Sequence, residues 1–232
     1  MAVRSVYLPH PEIQDNRVRI DGEEHKHLIV ARAQPNELVE VFDGKGAVWT
    51  VALESVGKRE TIGQVTQSRN IPRDPLELIL GLAMIRIAAF ELALEKVVET
   101  GVTRIVPFTA SRSNVPQGDR HERWFRILVE AAKQSKQYHL PILDPPTRFD
   151  QVLSIRSASK IMFAERDGGS LKSALAGSPV VYLVGPEGGW TDRELSAARD
   201  NGFHTVSLGA AILKAETAAI VGTSLIRYEL GR

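Results

Sequence analysis

Apolar and polar positions alternate along the first third of the chain, as they do in half-buried strands. These strands are expected at residues 6–8, 17–20, 38–42, 47–53 and 61–65. The sequence Asp43-Gly44-Lys45-Gly46 between two of them is typical of a hairpin loop. With one short helix expected over residues 25–33, this pattern predicts a small β-barrel.

After residue 75 the pattern changes to apolar runs that alternate with helical repeats, which predicts an α/β domain with a largely parallel sheet. The strands are expected at 76–85, 104–108, 160–164, 180–184 and 205–208. The helices are expected at 89–100, at 119–137 with Asp119 as cap, from Thr191, and at 215–230. Residues 68–75 carry two prolines and several charges, which is typical of a linker. Two domains, 1–70 and 71–232, are therefore expected.

Residues 180–219 contain two glycine-bearing loops that each follow an apolar run, and these runs are expected to be neighbouring strands. The first loop is GPEGGW, residues 185–190, called the glycine loop below. A capping box, Thr191-x-x-Glu194, opens the next helix. Ligands of open α/β sheets bind beyond the carboxyl ends of the strands, so the two loops predict one pocket. A tight turn that only needs glycine torsions is the alternative.

The second loop contains an apolar pair, Ile212-Leu213, which water penalises unless it covers a ligand or a partner. Neither loop has the G-x-G-x-x-G pattern or a Walker sequence, which disfavours a dinucleotide or a nucleoside triphosphate. The backbone groups of a glycine-rich loop can instead approach a purine ring closely.

Composition changes this picture little. The 232 residues are 43% hydrophobic and 25% charged, with a net charge of +1, so only a local basic patch could bind RNA. The absence of cysteine excludes disulfides and thiolate metal sites. No apolar run approaches the roughly 20 residues of a membrane span, and residues 1–6 lack a signal-peptide core, so a cytoplasmic location without membrane association is expected.

Several motifs together resemble the RsmE family, bacterial methyltransferases of the SPOUT class. The glycine loop with its capping box and the sequence LGAAILKAETA (208–218) carry the resemblance most strongly. Further matches are His25-x-His27-Leu28, Phe42-Asp43-Gly44-x-Gly46, residues 81–84, residues 99–108, Ser111-x-Ser113 and residues 130–135. Family arginines are replaced by Ala211 and Lys214, and residues 86–90 lack a polar start.

The resemblance implies methylation of N3 of a uridine in 16S ribosomal RNA of the small subunit, with S-adenosylmethionine as cofactor. It implies a PUA-like RNA-binding barrel over residues 1–70, a SPOUT domain with a deep trefoil knot over 71–232, and a homodimer. The knot loops would follow Ala164, Val184 and Leu208. The implied cofactor-binding residues are Ala164, Glu165, Leu183, Val184, Gly185, Pro186, Glu187, Gly188, Gly189, Leu208, Gly209, Ile212, Leu213, Lys214, Thr217 and Ala218.

Uridine N3 carries a proton, so its methylation needs a base or a cation that stabilises the uracil anion. Glu216 and Glu187 are the candidate bases, and Lys214 and Arg86 are the candidate cations. Candidate RNA-binding residues are Arg4, His25, Lys26, Arg32, Arg112, Arg123, Lys133 and Lys136. No metal site is expected, because His25 and His27 have no evident third ligand. Two alternatives stay open: a weakened or inactive SAM-binding protein that binds RNA or the ribosome, and a methyltransferase that acts on another RNA.

Overall fold

The computed structural model describes residues 3–164 and 168–231. The chain divides into two compact units. One runs to Arg73 and also contains Ala132–Leu140, and the other contains Asp74–Ala131 and the chain from Pro141 onward. The sequence placed residues 132–140 in the second domain, whereas they pack with the first unit. In the described ranges, no helix is long and apolar enough to cross a membrane.

The first unit is built on a six-stranded sheet in the order β1-β4-β5-β6-β3-β2. Its elements are β1 (Arg4–Tyr7), β2 (Ile13–Gln14), β3 (Arg17–Ile20), α1 (Gly22–Val30), β4 (Leu38–Phe42), β5 (Ala47–Val56) and β6 (Thr61–Asn70). β1 pairs with β4 in parallel and the other neighbours are antiparallel. The alternation seen in the sequence buries Val18, Ile20, Val39, Val41 and Val51 on one face. The hydrogen-bonded order ends at β1 and β2, so closure into a barrel stays a prediction.

The predicted linker at 68–75 begins too early. Ser68 and Arg69 still pair with Trp49 and Val48 in the long β5–β6 hairpin, and Asn70 pairs with Ala47. The ladder continues because polar side chains on an exposed strand cost little, and the backbone bonds are kept. Helix α1 also begins earlier than predicted, at Gly22.

Residues 132–140 are held to the first unit by a partly buried carboxylate. Glu40 accepts hydrogen bonds from Lys136 Nζ at 2.8 Å, Tyr138 Oη at 2.7 Å and Arg69 Nη2 at 2.5 Å. Burial favours the neutral form of Glu40, but these hydrogen bonds outweigh it and lower the pKa of the carboxyl to about 2. Burial and the bond to Glu40 raise the pKa of Tyr138 to about 12. We call these four residues the Glu40 cluster.

The second unit contains an all-parallel sheet in the order β10-β8-β7-β12-β11-β13, with β9 also pairing with β8. Its strands are β7 (Leu78–Ala83), β8 (Arg104–Thr109), β9 (Ile142–Leu143), β10 (Thr147–Arg148), β11 (Ser159–Phe163), β12 (Val180–Val184) and β13 (His204–Val206). Its helices are α2 (Ile87–Glu99), α3 (His121–Ser135, of which residues from 132 onward belong to the first unit), α4 (Phe149–Leu153), α5 (Leu171–Ala174), α6 (Asp192–Asp200) and α7 (Ala215–Glu229). The predicted α/β fold class is thereby confirmed.

The central strands β7 and β12 are buried along their whole length, as expected of a parallel sheet covered on both faces. On one face α7 packs on these strands, and the hydroxyl of Tyr182 meets Thr223 Oγ1 at 2.5 Å. Burial raises the pKa of the Tyr182 phenol. Because all the strands are parallel, their carboxyl ends lie at one edge of the sheet.

The strands that precede the two glycine-bearing loops, β12 and β13, were expected to be neighbours, but in the structure they are not adjacent. β11 lies between them and pairs with both. Apolar runs identify strands but carry no record of their lateral order, so the sequence could not distinguish these arrangements. The two loops still leave the same edge. The trefoil knot stays a prediction, because strand order alone does not trace the path of the loops.

Candidate active site

The glycine loop is shaped by Trp190. Its indole Nε1 donates to the carbonyl of Phe163 at 2.8 Å, and its ring stacks on Phe108 at a centroid distance of 6.1 Å. A Cβ on Gly185 would lie 2.7 Å from the indole ring, so a side chain cannot be added there without displacing Trp190. Gly189 has a φ of +70° and closes a turn by donating to the Pro186 carbonyl at 2.8 Å. Glycine is therefore needed for packing at one position and for torsion at the other.

The predicted capping box begins α6 directly after the glycine loop. Thr191 Oγ1 accepts from the Glu194 N–H at 3.3 Å, and Glu194 Oε2 accepts from the Thr191 N–H at 2.9 Å. The start of α6 is thereby confirmed. The second carboxylate oxygen of Glu194 accepts from the N–H of Ser111 at 2.8 Å.

The loop that follows β11 contacts β13 and the residue after β13 through the backbone. Gly169 donates its N–H to the Thr205 carbonyl at 2.9 Å, and a Cβ on Gly168 would lie 2.1 Å from the Ser207 nitrogen. Gly209, at a φ of +130°, has no atom within 4 Å of the position a Cβ would take. Ile212 is 72% exposed, so the predicted apolar surface of this loop is present in the structure.

A group of charges lies at the same edge of the sheet. Arg86, at the N-terminus of α2, donates through Nε to Glu187 Oε1 in the glycine loop at 2.6 Å. The hydrogen bond to Glu187, the charge of Glu187 and the charge of Glu216 together raise the pKa of Arg86. We call Arg86, Glu187 and Glu216 the edge cluster. The N-terminal ends of α2 and α7 and the glycine loop, which are far apart in sequence, thus bring together one cation and two carboxylates.

Comparison with known proteins decides the family. A model of the RNA methyltransferase domain matches residues 72–227. A ribosomal RNA small subunit methyltransferase E from Synechocystis is 32% identical over 97% of this chain and 77% of that protein. The chain belongs to the RsmE family of RNA methyltransferases.

Solved RsmE-like structures share this fold. The enzyme of Neisseria gonorrhoeae, solved with bound S-adenosylmethionine, is 29% identical with a TM-score of 0.92, and the match covers 98% of each chain. A methyltransferase of Legionella pneumophila, solved with bound SAM, is 25% identical with a TM-score of 0.91 and covers 98% of each chain.

Among the cofactor candidates that the RsmE resemblance implied, some have buried side chains and can offer only backbone atoms, and others have side chains near the open edge of the sheet. Leu183 and Val184 are buried, and Leu183 packs in the core against Ile79 and Val106, so only their backbone atoms remain for a ligand. Side chains near the open edge belong to the two loops and to the first turn of α7. Those residues are Glu187, Leu208, Ile212, Leu213, Lys214 and Thr217. Ala164 donates its N–H to the Val206 carbonyl, and Glu165 lies outside the described residues.

The structure brings three of the four catalytic candidates together in the edge cluster. The fourth, Lys214, is exposed at the N-cap position of α7. In the described ranges, no hydrogen bond to the Lys214 side chain is formed. The assignment of Lys214 as a cation that stabilises the uracil anion stays a prediction.

Several RNA-binding candidates of the first unit already have other roles. His25 is 5% exposed and its Nδ1 lies 2.9 Å from Thr61 Oγ1, so the expected surface contact is wrong for this side chain. In α1, His25 and Leu28 lie three residues apart on one face, and this face is buried in the first unit. Lys133 and Lys136 are ion-paired with Glu24 and Glu40. Arg4 pairs with Glu37, Lys26 pairs with Glu23, and Arg32 is exposed.

In the second unit the two candidates are Arg112 and Arg123. Arg123 makes a bidentate pair with Glu91, at 2.6 and 2.7 Å. Arg112 donates through Nη1 to the carbonyl of Gly188 in the glycine loop at 2.7 Å. The contacts of Arg112 with Gly188 and of Ser111 with Glu194 were not predicted, because they join positions 76 and 83 residues apart. The capping box was the only sequence signal at Glu194, and it indicates a helix start alone.

Proposed function

We propose that this chain uses S-adenosylmethionine to methylate N3 of a uridine in 16S ribosomal RNA of the small subunit, as a homodimer in the cytoplasm. The observation that carries the proposal is the edge cluster: Arg86, Glu187 and Glu216 lie beside a glycine loop at the carboxyl edge of a parallel sheet. Ligand sites of such sheets are formed at this edge. Membership of the RsmE family supports the choice of cofactor and of ribosomal RNA.

The residues at this edge suit S-adenosylmethionine. At Gly189 and Gly209 no atom lies within 4 Å of the position a Cβ would take, so there is open space for a ligand beside both residues. Ile212 and Leu213 offer apolar surface beside them. The cofactor would be held by the glycine loop and the 207–214 loop, and when bound it supplies an electrophilic methyl group. Both loops would then position the methyl donor beside the acceptor nitrogen, and such positioning is a large source of rate acceleration.

The edge cluster supplies the acid–base chemistry that uridine N3 requires. As the N3–C bond forms and the C–S bond breaks, the N3 proton must leave to a base. Glu187 is already hydrogen-bonded by Arg86, whereas no described residue hydrogen bonds to Glu216. Glu216 is therefore the base, and it takes up the N3 proton. Arg86 stabilises the negative charge that develops on the uracil oxygens.

The homodimer is supported by apolar surface on two helices that pack together in the second unit. Leu92 on α2 is 43% exposed, and Leu225 and Tyr228 on α7 are 38% and 78% exposed. A second copy would cover these side chains. Light scattering at micromolar concentration should give twice the chain mass, and a monomer would contradict this part of the proposal.

Two measurements test the function. Calorimetry with S-adenosylhomocysteine should give saturable binding, and mass spectrometry of small-subunit RNA from a deletion strain should show the loss of one N3-methyluridine. Return of the wild-type gene should restore the modification. Binding without any lost modification would instead favour an inactive SAM-binding protein, and the loss of a different methylated nucleotide would favour another RNA target.

A further inference from the structure

The loop that follows β8, residues 110–114, contacts the cofactor side of the second unit at two points. Arg112 Nη1 donates to the Gly188 carbonyl at 2.7 Å, within the glycine loop. The Ser111 N–H donates to Glu194 Oε1 at 2.8 Å, at the helix start directly after the glycine loop. The two bonds therefore hold both ends of one segment, 188–194, from the same neighbouring loop.

The 110–114 loop is itself fixed. Ala110 donates its N–H to Ser113 Oγ at 2.9 Å, and Ser113 donates its N–H back to the Ala110 carbonyl at 3.2 Å. Asn114 donates to the carbonyl of Met84 at 2.9 Å, two residues before Arg86 of the edge cluster. A loop that is closed on itself and hydrogen-bonded to the residue after β7 can hold its neighbour in place.

The carboxylate of Glu194 links the 110–114 loop to the start of α6. It is 6% exposed, and its carboxylate accepts from the Ser111 N–H, the Thr191 N–H and the Thr191 hydroxyl. Burial would raise the pKa of Glu194, but the hydrogen bonds from Ser111 and Thr191 outweigh it and lower the pKa. The carboxylate stays charged, and its partners come from both loops.

Arg112 also holds the glycine loop by contact. A Cβ on Gly188 would lie 3.2 Å from both Cβ and Cδ of Arg112, so the aliphatic stem covers the Cα of this glycine. The guanidinium then reaches the carbonyl of the same residue. One side chain thus limits both the position and the peptide orientation of Gly188.

We propose that Arg112 and Glu194 are positioning residues that hold the glycine loop in its cofactor-binding conformation from the 110–114 loop, without touching the cofactor. This rests on the proposed function, because it takes the ligand of the glycine loop to be S-adenosylmethionine. It replaces the RNA contact that the sequence suggested for Arg112. When the loop is already ordered, less conformational entropy is lost on binding, so the cofactor binds more tightly.

The test compares Arg112→Met, which keeps the stem and loses the hydrogen bond, with Arg112→Lys, Glu194→Gln and the control Arg193→Met. Arg193 is exposed one residue before Glu194. Calorimetry with S-adenosylhomocysteine should give a Kd about tenfold higher for Arg112→Met and Glu194→Gln, which corresponds to about 1.4 kcal/mol. Arg112→Lys should recover part of the affinity, and Arg193→Met should match the wild type.

Three further readouts separate positioning from other roles. KM for S-adenosylmethionine should rise while kcat stays within about twofold, because ordering a loop changes binding more than the bound geometry. The Kd for a small-subunit RNA fragment should not change in Arg112→Met. Fluorescence of Trp190, compared in a Trp49→Phe Trp124→Phe background, should change on ligand binding in the parent and less in Arg112→Met.

The outcomes are distinct. If Arg112→Met leaves the S-adenosylhomocysteine Kd within twofold of the wild type, the inference is overturned, and a weakened RNA Kd would then return Arg112 to RNA contact. If Glu194→Gln fails to fold, the Arg112 variants and Glu194→Asp decide. A wild-type chain that does not bind S-adenosylhomocysteine overturns the proposed function and this inference together, whereas wild-type binding that Arg112→Met leaves unchanged overturns the inference alone.

Discussion

The Glu40 cluster and the edge cluster contain similar residue types in opposite settings. In the Glu40 cluster one carboxylate, 14% exposed, receives hydrogen bonds from three side chains. In the edge cluster the cation Arg86, 70% exposed, donates a hydrogen bond to Glu187 and interacts with Glu216 through charge alone. In the Glu40 cluster the hydrogen-bonding groups are satisfied by contacts that stabilise the fold. The edge cluster retains a carboxylate and a guanidinium with capacity for a substrate.

Charge and position in the sequence did not distinguish these two clusters. Lys136 and Arg86 are both cations at helix ends, and both were selected as functional candidates. Satisfaction of the partners separates them: Lys136 Nζ donates to Val3 O, Ser5 Oγ and Glu40 Oε2. A cation with three intramolecular acceptors has little left to offer RNA. Matched substitutions in the two clusters should therefore affect different properties.

Glu216→Gln should have the largest effect. If Glu216 takes up the N3 proton, its amide cannot, and single-turnover methylation should slow by about 10²–10⁴-fold. The Kd for S-adenosylhomocysteine and the melting temperature should stay unchanged. Glu229→Gln, an exposed position in the last turn of the same helix, is the control and should be fully active. An undiminished single-turnover rate in Glu216→Gln would remove it as the base.

Arg86→Met and Arg69→Met form a crossed pair. Arg86→Met should lower kcat by about 10²-fold, since a charge that stabilises a developing anion is lost, and should leave the melting temperature unchanged. Arg69→Met should leave kcat unchanged and lower the free energy of unfolding by up to about 1 kcal/mol. The loss is small because Lys136 and Tyr138 still donate hydrogen bonds to Glu40. Thermal melts and steady-state rates of the Arg86→Met and Arg69→Met variants measure these two effects. Equal effects of the two variants on either property would refute the distinction between the clusters.

Gly185→Ala should change the site through packing rather than charge. The new Cβ would lie 2.7 Å from the ring of Trp190, which is held by the Phe163 carbonyl and by stacking on Phe108. Overpacking of this kind costs about 1–3 kcal/mol, and a displaced glycine loop should weaken S-adenosylhomocysteine binding as well. Gly177→Ala, a glycine with open space at its Cβ but a φ of +128°, controls for backbone strain alone. Calorimetry and thermal melts should show lost affinity only in Gly185→Ala.

The sequence predicted the elements better than their arrangement. Alternation located β3, β4, β5 and β6, the loop at residues 43–46 located the β4–β5 hairpin, and the capping box located α6, because these signals lie within a few residues of each other. The insertion of β11 between β12 and β13 and the packing of residues 132–140 with the first unit depend on contacts far apart in sequence. No local pattern records such contacts.

The candidate site was predictable to the same degree. The two loops were found from their glycines, and the resemblance to the RsmE family named their ligand. The Arg86–Glu187 pair joins positions 101 residues apart, so both residues were selected but their contact was not. Burial decided the failure at His25, which is polar in sequence but enclosed in the structure, whereas Lys133 is ion-paired with Glu24.

The smallest expected effect is the pH dependence of the Glu40 cluster. The pKa of Glu40 is lowered from 4.5 to about 2 in the folded state, so its stabilising contribution is present above about pH 4.5 and is lost as the pH falls toward about 2. Melting temperatures of the wild type and Glu40→Gln should therefore differ at pH 7, and the difference should shrink as the pH falls from about 4.5 toward about 2. A constant difference between the wild type and Glu40→Gln down to pH 3 would mean that Glu40 stabilises the first unit by shape rather than by charge.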